Sequence, residues 1–201
     1  MATGESSLLR AEIYKLFYKI ENKTHKNREF DFNLFLKEKS LNDNILQKKY
    51  FESLKKKNLT SNIYTDKSLE NFLFIGFIKI FFPKSKIIIT RRDKKDVFLS
   101  IFKNNFLNPY MNWSYDKKDI LEYYNIYSEM ISFWEDLISD DLYTVEYEDL
   151  LENPESEIRE LIKFCDLSWD PMCLQHENNI SGIETASVMQ ARKPIYKTSK
   201  K

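Results

Sequence analysis

Glycine is nearly missing from this chain: 201 residues contain 3, at Gly4, Gly76 and Gly182. A dinucleotide fingerprint or a Walker A loop needs clustered glycines between a strand and a helix, so neither is present. Cysteine is as scarce. Cys165 and Cys173 make no disulfide framework, and a reducing compartment is the default. With only His25 and His176 beside them, no metal-ligand spacing emerges, and both histidines read as structural. Charge of one sign is not in excess either: Lys+Arg and Asp+Glu are both 31. No general affinity for a polyanion such as nucleic acid follows, and any anion site has to be local. The apolar run from Asn71 to Phe82 is too short to span a bilayer and is interrupted by Lys79. The N-terminus has no apolar signal region. The expectation is a soluble, cytoplasmic chain with no membrane partner.

What the chain does have is aromatic residues, 15% of the total, which favour a packed globule over disorder. Its length suits one sizeable core, and a single domain over 1–201 is expected. The organising stretch is Lys86 to Ser100. Ile87 to Ile89 are continuous and β-branched, as in a parallel strand buried on both faces. Arg91 and Arg92 follow where the strand ends. Asp93 then reads as an N-cap and Asp96 as a first-turn charge facing the positive end of a helix dipole. Val97, Phe98, Ile101 and Phe102 form that helix's apolar face. Open α/β sheets bind ligands beyond the carboxyl ends of their strands. An arginine there, with a hydroxyl on the next helix, suits a phosphate.

Around this centre, strands alternate with helices. A helix follows Ser6 and Ser7, with Leu8, Leu9, Ile13 and Leu16 on its apolar side. Glu5 stands at its mouth. Lys23 to Ser40 is polar and irregular. Asn42 to Lys56 reads as helix, Ile63 to Thr65 as strand, and Leu69 to Phe82 as a buried helix stopped by Pro83. Leu107 to Lys118 reads as a loop and Asp119 to Ser139 as a long amphipathic helix. Leu142 to Val145 reads as a further strand. A last helix is capped by Asn153, with Pro154 at its first position and Ile158, Leu161, Ile162 and Cys165 toward the core. The alternation predicts an α/β fold with a parallel sheet.

Four stretches together resemble the sulfotransferase family, most closely tyrosylprotein sulfotransferases and the bacterial sulfotransferases often attached to tetratricopeptide repeats. Thr65-Asp66-Lys67, with Asn71-Phe72, Gly76 and Phe81 to Lys86, looks like the segment bearing the family's transition-state lysine. Arg92 followed by Ser100 has the spacing of its 3′-phosphate site. Val145 to Leu150 with Asn153-Pro154-Glu155 is similar to its YEDL-type stretch. Ser187 to Pro194 matches its S-x-x-Q-x-x-K-P loop. The resemblance covers nearly the whole chain. It implies a three-layer sandwich of the P-loop-like sulfotransferase kind, and a donor, 3′-phosphoadenosine 5′-phosphosulfate (PAPS), used without a metal.

Carried over by position, the resemblance assigns Arg92 and Ser100 to the 3′-phosphate. Tyr147, Ser187, Gln190, Lys193 and Pro194 would line the nucleotide, and Lys67 and Ser187 would stabilise the transferring group. Gly4-Glu5 is similar to the segment holding the catalytic base. The acceptor it implies is a hydroxyl on a small molecule, a glycan or a peptide tyrosine. Two features depart from the pattern. Lys94 stands where many relatives have proline, and the glycine-rich 5′-phosphosulfate loop belongs upstream of Glu5. The chain is therefore expected to be an N-terminally truncated, C-terminal portion of such a domain. It would keep affinity for the 3′-phosphate end and transfer sulfate only with an upstream segment or an oligomer partner. The rivals are a non-catalytic descendant that binds a nucleotide or a partner chain, and a nucleotide kinase, which the missing Walker A loop disfavours.

Overall fold

The computed structural model describes residues 8–15, 45–56, 61–106 and 109–178. They fall into two compact units, one ending at Ser85 and one starting at Lys86. Among the described residues no helix is long and apolar enough to cross a membrane.

In the first unit, residues 8–15 are helical (α1), with Leu9 and Ile13 buried. Helix α2, Ile45–Lys56, buries Leu46, Tyr50 and Leu54, the i, i+4, i+8 stripe of an amphipathic helix. Ile63 to Thr65, expected as a strand, is not one; Thr65 alone makes an isolated bridge. The Ser61 hydroxyl accepts the Ile63 N–H at 3.2 Å, and the Tyr64 hydroxyl accepts the Ser61 N–H at 3.0 Å. Local bonds of this kind compete with a strand ladder. The buried helix expected over Leu69 to Phe82 is divided. Leu69–Phe74 winds as a 3₁₀ helix and Ile75–Phe81 as α3, with Phe74 at φ −116° and ψ 11° between them. Phe72, Phe74, Ile75, Ile78 and Phe81 are buried, but Leu69 and Ile80 face solvent. After α3 the Lys79 ammonium holds the turn, donating to the carbonyls of Pro83 (2.8 Å) and Ser85 (2.9 Å).

The second unit is an α/β layer. Strands β1 (Ile87–Arg91) and β2 (Leu142–Glu146) pair in parallel, with Ile89 opposite Thr144 and Arg91 opposite Glu146. They are joined through α4 (Lys94–Lys103), a kinked 3₁₀ stretch at Pro109–Tyr115, and α5 (Lys117–Leu137). Helices α6 (Tyr147–Glu152) and α7 (Pro154–Phe164) follow β2. Side chains alternate across a strand, so Arg91 and Thr144 lie on one face and Tyr143 on the other. The first two bond Glu135 of α5, and Tyr143 packs its ring 5.2 Å from Phe164 of α7. Helices thus lie on both faces of the sheet.

Burial corrects two expectations. In β1 Ile89 is buried but Ile88 is 42% exposed, so the strand is not covered on both faces along its length. Helix α7 turns Ile158, Leu161, Ile162 and Cys165 inward, and each is only half-buried.

The helix starts show how local chemistry sets boundaries. Asp93 caps α4 as expected, accepting the N–H groups of Lys95 (2.9 Å) and Asp96 (3.2 Å). Helix α5 begins earlier than its apolar period suggested, because Asp116 accepts from Lys118 and Asp119. Asn153 occupies the N-cap of α7 without a side-chain bond. Its backbone does the linking instead: its N–H donates to Asp149 and its carbonyl accepts from Glu157. At the other end of α7, Asp166 takes φ 56° and closes the helix, with the Leu167 N–H reaching the Ile162 carbonyl.

Candidate functional site

The carboxyl ends of β1 and β2 lie side by side, and two arginines leave β1 there in succession. Adjacent positions on an extended chain point opposite ways, and the two have different fates. Arg91, the last residue of β1, is held within the fold. Its Nη1 donates to Glu146 (3.0 Å) across the strand pair and its Nη2 to Glu135 (2.7 Å) on α5. The Thr144 hydroxyl donates to the same Glu135 oxygen at 2.8 Å. Burial works against the guanidinium's charge, but the two carboxylates outweigh it and hold the Arg91 pKa above its ordinary value. Of the two arginines expected at the crevice, this one already has two anionic partners.

Arg92 has different partners, at the starts of α4 and α6. Its guanidinium carbon lies 4.7 Å from the centre of the Tyr147 ring, the first residue of α6, in a cation–π arrangement. Its Nη2 donates to Asp96 at 2.7 Å, one turn into α4. Its Nε is buried and has no hydrogen-bond partner. Ser100 is exposed and stands four residues beyond Asp96 on α4, whereas Arg92 lies ahead of the helix, just before the Asp93 cap. The Asp93 N–H donates to Glu148 at 3.2 Å, fixing the start of α4 to the start of α6. On the same rim the Lys94 ammonium sits 4.7 Å over the Tyr124 ring and donates to Asn125. The start of α4 thus carries a guanidinium that is stacked on a phenol and paired with one carboxylate.

In the first unit, Lys67 is exposed, and the residue before it is fixed. Both carboxylate oxygens of Asp66 are taken: Tyr50 of α2 donates its hydroxyl at 2.9 Å, and Asn71 donates its amide at 3.1 Å. The loop bearing Lys67 is thereby tied to two helical elements. Glu5, Ser187, Gln190, Lys193 and Pro194 lie outside the described residues.

The structure thus brings Arg92 and Tyr147 together, and Ser100 follows further along α4. Sequence reading missed the partner of Arg92. Asp96 serves the helix dipole and also pairs with Arg92, and the i+4 spacing between them is the signal available in the sequence. Sequence reading also passed over Glu12, a buried carboxylate bonded to Lys15 at 2.7 Å, which sits unmarked between the core residues Leu9 and Ile13. At Cys165 burial, then the neighbouring Asp166, push the thiol up, against a smaller pull from Lys86.

Three tyrosines of the second unit report on its packing. Burial raises the Tyr127 hydroxyl pKa, with Arg91 opposing, and burial alone raises Tyr123; Tyr143 is raised by burial and by Glu157 and Glu160. Above the ordinary value of 10.0 the unfolded tyrosines lose protons that the folded ones keep. The unfolded state then binds fewer protons, so stability falls as pH rises through that value. Tyrosinate absorbance from these residues should appear late and together with loss of helical dichroism. A complete titration at the ordinary value with the helices intact would contradict this.

Arg92, just past the end of β1, is thus stacked on Tyr147, just past the end of β2, in an α/β unit. The sequence profile described as "Sulfotransferase family" matches residues 7–171. The chain belongs to the sulfotransferase family. It is also 34% identical over 136 residues to an uncharacterized protein of Aquifex aeolicus (strain VF5). That match takes in 67% of this chain and 18% of the Aquifex protein, so the chain spans less than a fifth of that relative's length.

Proposed function

We propose that the chain is a cytoplasmic, PAPS-dependent sulfotransferase domain of the tyrosylprotein or repeat-associated kind, moving a sulfuryl group from PAPS to an acceptor hydroxyl. The observation that carries this reading is Arg92, stacked on Tyr147 at the carboxyl ends of two paired parallel strands, with Ser100 further along the helix that follows. Arg92 and Ser100 hold the 3′-phosphate, and Tyr147, Ser187, Gln190, Lys193 and Pro194 line the nucleotide. Sulfuryl transfer resembles phosphoryl transfer: a loose, in-line transition state leaves positioning and charge stabilisation as the main catalytic terms. The Lys67 ammonium, with Ser187, offsets charge that builds on the leaving phosphate. Glu5 takes the acceptor's hydroxyl proton, an effect of on the order of a hundredfold or more.

The test is calorimetry of the unaltered chain with adenosine 3′,5′-bisphosphate, against adenosine 5′-phosphate as control. The reading expects the bisphosphate to bind at least tenfold more tightly, the worth of one charge-assisted contact of about 1.5 kcal/mol or more. Equal affinity for the two nucleotides, or binding of neither, removes the assignment.

A further inference from the structure

Resting on that nucleotide reading, we infer that Asp96 is a built-in competing counter-ion: it occupies Arg92 while the site is empty, and an incoming phosphate has to displace it. A guanidinium grips a phosphate best with two adjacent nitrogens. Nε of Arg92 is buried without a partner, so the Nη1–Nη2 end is the edge that can present such a fork. Asp96 already holds Nη2 of that edge at 2.7 Å. The two side chains are comparably half-exposed, 31% and 30%, so the pair is reachable by a solute from water.

Two further contacts make exchange feasible without unravelling the site. The Tyr147 ring supports the guanidinium whichever anion it faces. Asp96 lies in the first turn of α4, where its charge is favoured by the helix dipole after Arg92 lets go. Asp96 is not the N-cap; Asp93 performs that task, with its own bonds to Lys95 and Asp96 N–H. The carboxylate of Asp96 can therefore be removed while the cap remains.

A phosphate arriving at Arg92 also comes close to the Asp96 charge, which opposes it at the short range of an adjacent contact. The combined effect is a site of moderated affinity from which a 3′-phosphorylated product leaves readily. Arg92 is held oriented, not free, between occupants.

The experiment measures adenosine 3′,5′-bisphosphate binding to the full chain and to Asp96→Asn by calorimetry, at two ionic strengths, with adenosine 5′-phosphate as control. Asp96→Asn is expected to bind the bisphosphate roughly twofold to fivefold more tightly, as for loss of a partly exposed ion pair and its repulsion. It should leave the 5′-phosphate control unchanged and show a steeper loss of affinity with salt. Asp96→Ala, which favours the helix, is the second variant, and far-UV dichroism shows whether each is folded. Weaker or equal bisphosphate binding by the folded variants, beside an unaltered chain that does discriminate the two nucleotides, overturns the counter-ion role alone and makes Asp96 a positioning residue or a bystander. An unaltered chain that fails to discriminate them overturns the nucleotide reading itself.

Discussion

Arg92→Ala is expected to weaken adenosine 3′,5′-bisphosphate binding by tenfold to a hundredfold and to leave adenosine 5′-phosphate binding as it was. The range is that of one charge-assisted hydrogen-bonding pair, about 1.5–3 kcal/mol. The comparison of two nucleotides isolates the 3′-phosphate, because general damage to the site would weaken both. Stability should change little. Arg92 and Asp96 form a half-exposed i, i+4 pair, and such pairs contribute only about 0.3–0.5 kcal/mol. Arg92→Lys is an informative companion. It keeps the charge but loses the planar face over Tyr147 and the two-nitrogen fork, so it should restore only part of the affinity. Should Arg92→Ala weaken both nucleotides equally, the residue would be supporting the fold and not reading the 3′-phosphate.

Its neighbour should behave in the opposite way. Arg91→Met is expected to lower the melting temperature by about 4–8 °C, equivalent to about 2 kcal/mol for a chain of this size. Removing it leaves Glu135 and Glu146 facing each other without their shared cation, and Thr144 bonded to one of them. Breaking a buried pair costs about 3–5 kcal/mol, and the figure is reduced here because all three charged side chains are partly exposed. Adding Glu135→Gln to Arg91→Met should recover part of the loss, since it removes one of the two stranded charges. Lys163→Ala serves as the surface reference. Its pairing with Glu160 is long, at 3.5 Å, and open to water, so its melting temperature should stay within about a degree of the unaltered chain. A melting temperature for Arg91→Met no lower than that of Lys163→Ala would show that Arg91 does not bind the two strands and α5 together.

Much of the fold is legible along the chain because its causes are local. Consecutive Ile87, Ile88 and Ile89 specify β1, and Asp93 stops the strand and starts α4 with its own carboxylate. Asn153 followed by Pro154 places the start of α7 to the residue. Where the expectation failed, a side chain distant from the pattern, or an unnoticed local bond, intervened. Ser61 and Tyr64 bond the backbone of the segment read as strand. Asp66 draws the Asn71 amide to itself at the start of the divided helix. Periodicity counts apolar residues and does not register such bonds.

The candidate site divides along the same line. By itself the sequence determined that a basic pair ends β1, that a hydroxyl follows eight residues later on a helix, and that a Tyr-Glu-Asp stretch ends β2, since spacing and element ends are properties of a contiguous chain. The resemblance singled out Arg92, and only the tertiary structure decided what holds Arg91. That hold depends on the parallel register opposing Arg91 to Glu146, and on α5 crossing so that Glu135 reaches the same guanidinium. These partners lie 55 and 44 residues away, and no local pattern encodes the pairing. The same geometry turns Arg92 toward Tyr147 and hands its Nη2 to Asp96. An ion pair forms where folding places opposite charges within contact distance, so the role of each of the two adjacent arginines is set by the packing around it.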